Sequence, residues 1–306
     1  MTPAFRSLPS ADAVIAVEMP DGAALPVYRI AGPKGAPALL FGHANGMAAG
    51  SYEPFLRMLA SDAQVFAFDA RGHGGSVWPD GALETVFAVD RIADDLVHLT
   101  GRVASEAGVT RIAYVGHSLG ASSALRLLAL GRAPDWSSLV AFEPPVFPPP
   151  GSAAHVEAVE KQGRLVAGTL KRRAEWPSPA ALAERLRGRG MFARFDRDML
   201  EAHCRATLRP ANGGYRLCCP PEIESFIFKS QSEADTWQLL SAVTRALMLV
   251  GGDPTIADND WVSSALPEMA ALMPASCLMQ VRAAGHLLIS EQPQRCAQLV
   301  RESLHS

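Results

Sequence analysis

The chain has 306 residues, 48% of them hydrophobic and 19% charged, and a formal net charge of −3. That length accommodates one large α/β domain or a core with an insert, and the balance is that of an ordinary soluble globular chain. No apolar stretch approaches the roughly 20 residues that cross a bilayer, and the first twenty residues lack a basic start followed by an apolar block, so no membrane contact and no secretory leader are expected and the cytoplasm is the expected compartment.

In chain order, residues 14–17 and 27–30 read as two opening strands around the turn Pro20-Asp21-Gly22. Residues 38–41 form a buried strand, 52–60 a helix and 65–68 a further strand. Asp90 is placed to cap a helix running to about Glu106. Residues 111–115 are the next short buried strand, and 121–130 have the length and Leu/Ala content of a helix. A strand at 138–142 ends in Glu143-Pro144-Pro145. This alternation predicts a mainly parallel sheet with helices on both faces.

The texture then changes. Pro148-Pro149-Pro150-Gly151 breaks any regular element, and residues 155–241 read as several helices without a convincing strand. Alternation resumes with a strand at 246–250, a helix near 261–272, a strand at 277–281 and a closing helix from Pro293. The division is therefore a core of 1–145 and 242–306, with a helical cap at 146–241 lying over one face. Between Lys161 and Arg216 there are thirteen Lys and Arg against five Asp and Glu, so a basic insert sits on an acidic core. The bland account is a solvated cap surface or side chains bridging cap to core. The alternative is selection of an anionic substrate. Few aromatics interleave these arginines, so no nucleic-acid partner is expected.

The five cysteines, Cys204, Cys218, Cys219, Cys277 and Cys296, lack metal-ligand spacing and read as reduced structural thiols. The chemistry lies elsewhere. Gly116-His117-Ser118-Leu119-Gly120 falls between the strand at 111–115 and the helix that follows. A serine on so tight a strand-to-helix turn is pushed out of the sheet with a helix N-terminus beneath it, the geometry of a nucleophile elbow.

A serine hydroxyl needs a base. His286 follows the last apolar strand in Ala284-Gly285-His286-Leu287-Leu288, where doubly wound sheets place reactive groups. His117 adjoins Ser118, so its ring is expected to pack sideways. The base needs a carboxylate to set its tautomer. Asp253, just past the strand at 246–250, fits the order Ser…Asp…His and is the first choice. Glu143, closing the strand after the elbow helix, is the alternative acid, and Asp258 and Asp260 lie in the same loop as Asp253. For the oxyanion, the expected donors are the amides of Leu119 and of Asn45, with Ala44 second, in the loop Gly42-His43-Ala44-Asn45-Gly46-Met47. His43 is expected to hold that loop. Phe147, Trp176, Met191, Phe192, Phe195 and Trp237 either line a pocket or pack the cap against itself.

The chain resembles the α/β-hydrolase family over nearly its full length. The resemblance rests on residues 40–46, on Asp69-Ala70-Arg71-Gly72-His73-Gly74-Gly75-Ser76, on the elbow, and on Gly285-His286 followed by Glu291-Gln292-Pro293. It implies an eight-stranded sheet, a helical cap after the sixth strand, a Ser-Asp-His triad, and structural roles for Asp69, Arg71 and His73. Two departures stand out. His43-Ala44 replaces the family's usual His-Gly, and Val250 stands where a glycine usually precedes the acid, which keeps Glu143 in play. A serine rather than a carboxylate nucleophile argues against the epoxide-hydrolase and haloalkane-dehalogenase branches. The expected activity is hydrolysis of a small-molecule carboxylic ester through an acyl-enzyme, without cofactor or metal. Thioester, lactone or carbon–carbon bond hydrolysis, transfer or perhydrolysis, and a non-catalytic scaffold are the alternatives. Acyl-chain length and oligomeric state are left open.

Overall fold

A computed structural model describes residues 5–211, 213–256 and 260–305. Eleven strands are described: β1 Ala13–Glu18, β2 Ala24–Ile30, β3 Ala38–Gly42, β4 Gln64–Phe68, β5 Ala113–His117, β6 Leu139–Phe142, β7 Glu175–Trp176, β8 Leu208–Ala211, β9 Gly214–Leu217, β10 Leu247–Gly251 and β11 Ser276–Gln280. Eight of them make one sheet in the order β1-β2-β4-β3-β5-β6-β10-β11. Only the first two ladders are antiparallel, and every pairing from β4 to β11 is parallel. Strands buried on both faces explain the continuous apolar runs Ala-Leu-Leu-Phe in β3 and Leu-Val-Ala-Phe in β6.

The α-helices are α1 Glu53–Leu59, α2 Leu83–Val86, α3 Val89–Ala107, α4 Leu119–Ala129, α5 Ala153–Thr169, α6 Pro179–Leu186, α7 Arg197–Ala206, α8 Pro221–Ser232, α9 Thr236–Leu239, α10 Asp260–Leu272, α11 Leu288–Glu291 and α12 Pro293–Leu304. Two apolar cores result, one on each sheet face. On one side α3 and α4 bury Leu96, Leu99, Val103, Leu125 and Trp136 with Tyr114 of β5. On the other, α1 and α12 bury Phe55, Leu56, Leu299 and Val300 with Phe41 of β3 and Phe142 of β6. α3 turns its buried residues inward at three- and four-residue spacing and stops at Gly108 in the left-handed conformation. Asp90 does not cap α3. Ala88 is the cap residue, without a side-chain bond, and Asp90 instead pairs with Arg126 at 2.7 Å.

The residues between β6 and β10 form the insert, and β6 and β10 are sheet neighbours, so the core closes without it. Contrary to the sequence expectation of helices alone, the insert holds a small antiparallel sheet in the order β7-β9-β8. Its strands have two to four residues, too short to give a readable alternation. About half of the basic side chains are in ion pairs among the described residues. Lys161 reaches Asp260 and Arg194 reaches Glu291 across to the core, while Arg164, Arg187 and Arg197 pair with Glu160, Glu184 and Glu201 within the insert. All five cysteines are free. Four are buried as expected, but Cys277 is exposed on the edge strand β11, so it has no structural burial to offer. No helix among the described residues is long and apolar enough to cross a membrane.

Candidate active site

Ser118 caps α4 with φ 50 and ψ −109, a conformation that costs a non-glycine residue roughly 1–3 kcal/mol and recurs where strain serves a function. The flanking glycines permit it by close approach. A Cβ on Gly120 would lie 2.4 Å from the Gly42 carbonyl oxygen, and one on Gly116 would lie 2.6 Å from the Ala121 amide. Tyr114 donates to the Gly120 carbonyl at 3.0 Å and fastens the turn to its own strand.

His286 lies in the loop after β11, as the sequence suggests. Its Nε2 is 3.1 Å from Ser118 Oγ. Its Nδ1 is 3.1 Å from a carboxylate, but that carboxylate belongs to Glu143 rather than Asp253. Glu143 follows β6, the strand between the elbow strand and β10, and its φ of 46 turns the chain sharply. The side chain is fully buried. Oε1 accepts from the Gly252 amide and from Ser263 Oγ, both at 2.6 Å, which leaves Oε2 for the imidazole. A carboxylate facing Nδ1 favours the tautomer with its proton there, so Nε2 is bare toward the serine.

Asp253 is half-buried and engaged elsewhere. Oδ1 accepts from the Thr255 amide at 3.0 Å and Thr255 Oγ1 at 2.6 Å, and Oδ2 accepts from the Ala283 amide at 3.3 Å. These bonds, those to Thr255 foremost, hold its pKa below the ordinary carboxylate value. It is a turn-closing residue, and the expectation that it meets His286 is corrected. Asp260 pairs with Lys161, and Asp258 lies outside the described residues.

Leu119 is the first residue of α4, and Asn45 sits in the loop after β3. Neither backbone amide donates to an acceptor among the described residues. Ala44, the second choice, has its amide on Tyr52 Oη at 3.2 Å. The Asn45 side chain is itself tied down, donating from Nδ2 to the Glu224 carbonyl at 2.9 Å.

Three buried histidines brace this surface. His43 donates from Nδ1 to the Ala44 carbonyl and accepts at Nε2 from the Ala70 amide, joining the loop after β3 to the loop after β4, as anticipated. His73 donates from Nδ1 to the Arg71 carbonyl and accepts at Nε2 from the Gly46 amide. His117 does more than pack sideways. A carbonyl only accepts, so Nε2–H donates to the His286 carbonyl at 2.9 Å, and Nδ1 accepts from Tyr52 Oη at 2.6 Å. Tyr52 thereby couples the Ala44 amide to the backbone of His286. Asp69 and Arg71 are built into the same foundation. Asp69 accepts from Ser7, Tyr28, Ala49 and Gly75, and buried Arg71 bridges Asp95 and Asp21.

Burial pushes His73, His117 and His203 down to about 3 from an ordinary value near 6.5. The unfolded chain takes up these protons near pH 6.5 and the folded chain refuses them until about pH 3. Stability from these groups is therefore complete above about pH 6.5 and is lost progressively as the pH falls below it. Thermal melts should show a level Tm above about pH 7 and a steep decline from about pH 6 to 4. A Tm unchanged down to about pH 4 would contradict neutral burial of these rings.

A cavity of about 290 Å³ opens beside Ser118 and His286, with Asn45 from the core and Arg172, Met191, Phe192 and His203 from the insert in its wall. Of the insert's apolar candidates, Met191 and Phe192 line it. Phe147 packs against Trp261 with the rings tilted, and Trp237 joins the core.

Residues 39–299 match the model of the alpha/beta hydrolase family, and the chain belongs to that family. It is 26% identical over 279 residues, covering 89% of this chain and 90% of the relative, to 3-oxoadipate enol-lactonase 1 of Acinetobacter baylyi. Among solved structures it is similar to E-2-(acetamidomethylene)succinate hydrolase, at TM-score 0.75 and 22% identity over 96% of this chain and 100% of that one. The thioesterase domain from the curacin biosynthetic pathway superposes at TM-score 0.72 and 18% identity, covering 95% and 99% of the two chains. A thermophilic esterase from Thermogutta terrifontis does so at 0.65 and 22%, covering 96% and 98%. Membership of that family supports a hydrolase activity.

Proposed function

We propose that the protein is a serine hydrolase of small carboxylic esters, lactones included, working through Ser118, His286 and Glu143. The observation that carries this reading is one continuous row: Glu143 Oε2, His286 Nδ1, His286 Nε2 and Ser118 Oγ, with 3.1 Å at each of its two hydrogen bonds. Ser118 Oγ attacks the ester carbonyl while His286 Nε2 takes its proton. The buried Glu143 carboxylate stabilises the resulting imidazolium and holds the ring in place. The carbonyl electrons move onto oxygen, which the Leu119 and Asn45 amides receive. Each such donor lowers the barrier by on the order of 3 kcal/mol. The imidazolium then protonates the leaving alkoxide, which departs as the alcohol or, from a lactone, stays tethered. Water, deprotonated by the same nitrogen, hydrolyses the acyl-enzyme.

In this reading the insert is the cap of the site, since Arg172, Met191, Phe192 and His203 contribute to the cavity wall that also holds Ser118. A cavity of about 290 Å³ suits a small acyl group rather than a long chain. The test is a substrate panel of short-chain esters, lactones and thioesters, with activity expected on the oxygen esters and falling as the acyl chain lengthens. A wild-type protein active on none of them, or only on long-chain thioesters, would overturn the reading.

A further inference from the structure

The cavity wall contains polar groups that the reaction outlined above does not use. Arg172, between α5 and β7, lines the cavity and is about one-third exposed. Its Nη1 bonds the carboxylate of Glu224 in α8, which is buried. Nε and Nη2 have no acceptor among the described residues, so the guanidinium keeps its remaining N–H donors for something else. His203 of α7 stands in the same wall, 2% exposed, with both ring nitrogens lacking a hydrogen-bond partner among the described residues. A buried polar group without a partner costs roughly 1–3 kcal/mol, and a wall holding one beside a partly free cation fits a polar ligand better than an apolar one.

The position of the cation narrows the ligand. A Cβ on Gly46 would fall 2.3 Å from Glu224 Oε1 and 3.4 Å from Arg172 Nη1, and Asn45 is tied to the Glu224 carbonyl. The ion pair therefore rests on the loop that receives the oxyanion. Glu224 fixes the guanidinium there and does not cancel its fork. The other ionisable groups in the wall are His203, kept neutral by burial and by nearby Arg172, then His286, and Arg164, which pairs with Glu160 on the outer surface. Glu224 is the only carboxylate in the wall among the described residues, and it is already engaged.

Resting on the ester-hydrolase reading, we infer that Arg172 binds a carboxylate on the acyl part of the substrate, close to the scissile carbonyl, so that the substrates are short esters or lactones of dicarboxylic acids. Glu224 is a positioning residue for that guanidinium, and His203 provides a neutral second donor beside it.

The test compares monomethyl succinate with methyl isocaproate, its neutral isostere, in wild type, Arg172→Gln and Arg172→Lys. Wild type should prefer the anionic ester in kcat/KM. The anionic-to-neutral ratio should fall about tenfold to a hundredfold in Arg172→Gln, mainly through KM, with Arg172→Lys in between because it keeps charge but loses the fork. Tm and phosphonate labelling of Ser118 verify that each variant is folded. Calorimetric binding of succinate to Ser118→Ala, with and without Arg172→Gln, reads the same subsite without turnover. Saturable binding that the glutamine abolishes is expected. A preference for the neutral ester, a ratio unmoved by Arg172→Gln, or succinate binding indifferent to it would overturn the inference and leave the hydrolase reading intact. Failure of wild-type Ser118 to label would overturn the hydrolase reading instead, while succinate binding would still decide the subsite.

Discussion

Glu143→Gln should lower kcat about ten-thousand-fold while Asp253→Asn stays within a few-fold of wild type. The amide keeps the glutamate's size, so the buried site should fill and fold. It presents a neutral group to His286 Nδ1 where a carboxylate stood, and an NH2 turned toward the ring would drive the imidazole into the tautomer whose proton blocks Nε2. The other orientation keeps the tautomer but removes the charge that stabilises the imidazolium. Either way the serine loses its base. Among the described residues the Asp253 carboxylate bonds only Thr255 and Ala283, and it is replaceable at the cost of a turn. Steady-state kinetics on a turned-over ester, with Tm as the folding control, read both variants. A Glu143→Gln enzyme with near-wild-type kcat would remove Glu143 from the mechanism.

Ser118→Ala should be the most severe substitution, with a loss of about a million-fold in kcat. No other hydroxyl bonds His286 Nε2 among the described residues. The strained backbone at φ 50 is as costly for alanine as for serine, so folding stability should hardly change. Residual turnover above that level would mean that water attacks directly, with the oxyanion amides and the bound geometry still assisting. Unchanged turnover would move the nucleophile elsewhere.

The parts of this site that were readable from residue order are those encoded locally. The elbow declares itself through glycines flanking a serine between an apolar run and a helix, and both glycines prove to be backbone contacts. Core strands were legible because burial on both faces demands unbroken apolar runs, as in β3 and β6. His286 was legible as a strand-end histidine. The acid was not, because Asp253 and Glu143 both follow parallel strands and the choice is made by side-chain direction. That direction depends on the positive φ at Glu143 and on bonds from Gly252 and Ser263, more than a hundred residues away in sequence. The short acid loop around Val250 was the one hint. The Tyr52–His117–His286 chain and the Arg172–Glu224 pair left no pattern, since each forms only when separate elements meet. The insert's sheet is illegible for a different reason. Strands as short as Glu175–Trp176, or carrying a proline as Leu208–Ala211 does, show no period of two.

The most direct measurement is peptide mapping by mass spectrometry after treatment with a fluorophosphonate, which reacts with a serine only when a neighbouring base activates it. A single adduct on Ser118, forming far more slowly in Glu143→Gln than in Asp253→Asn, is the predicted result. A folded protein that remains unmodified at Ser118, or labels equally fast without the Glu143 carboxylate, would contradict the account.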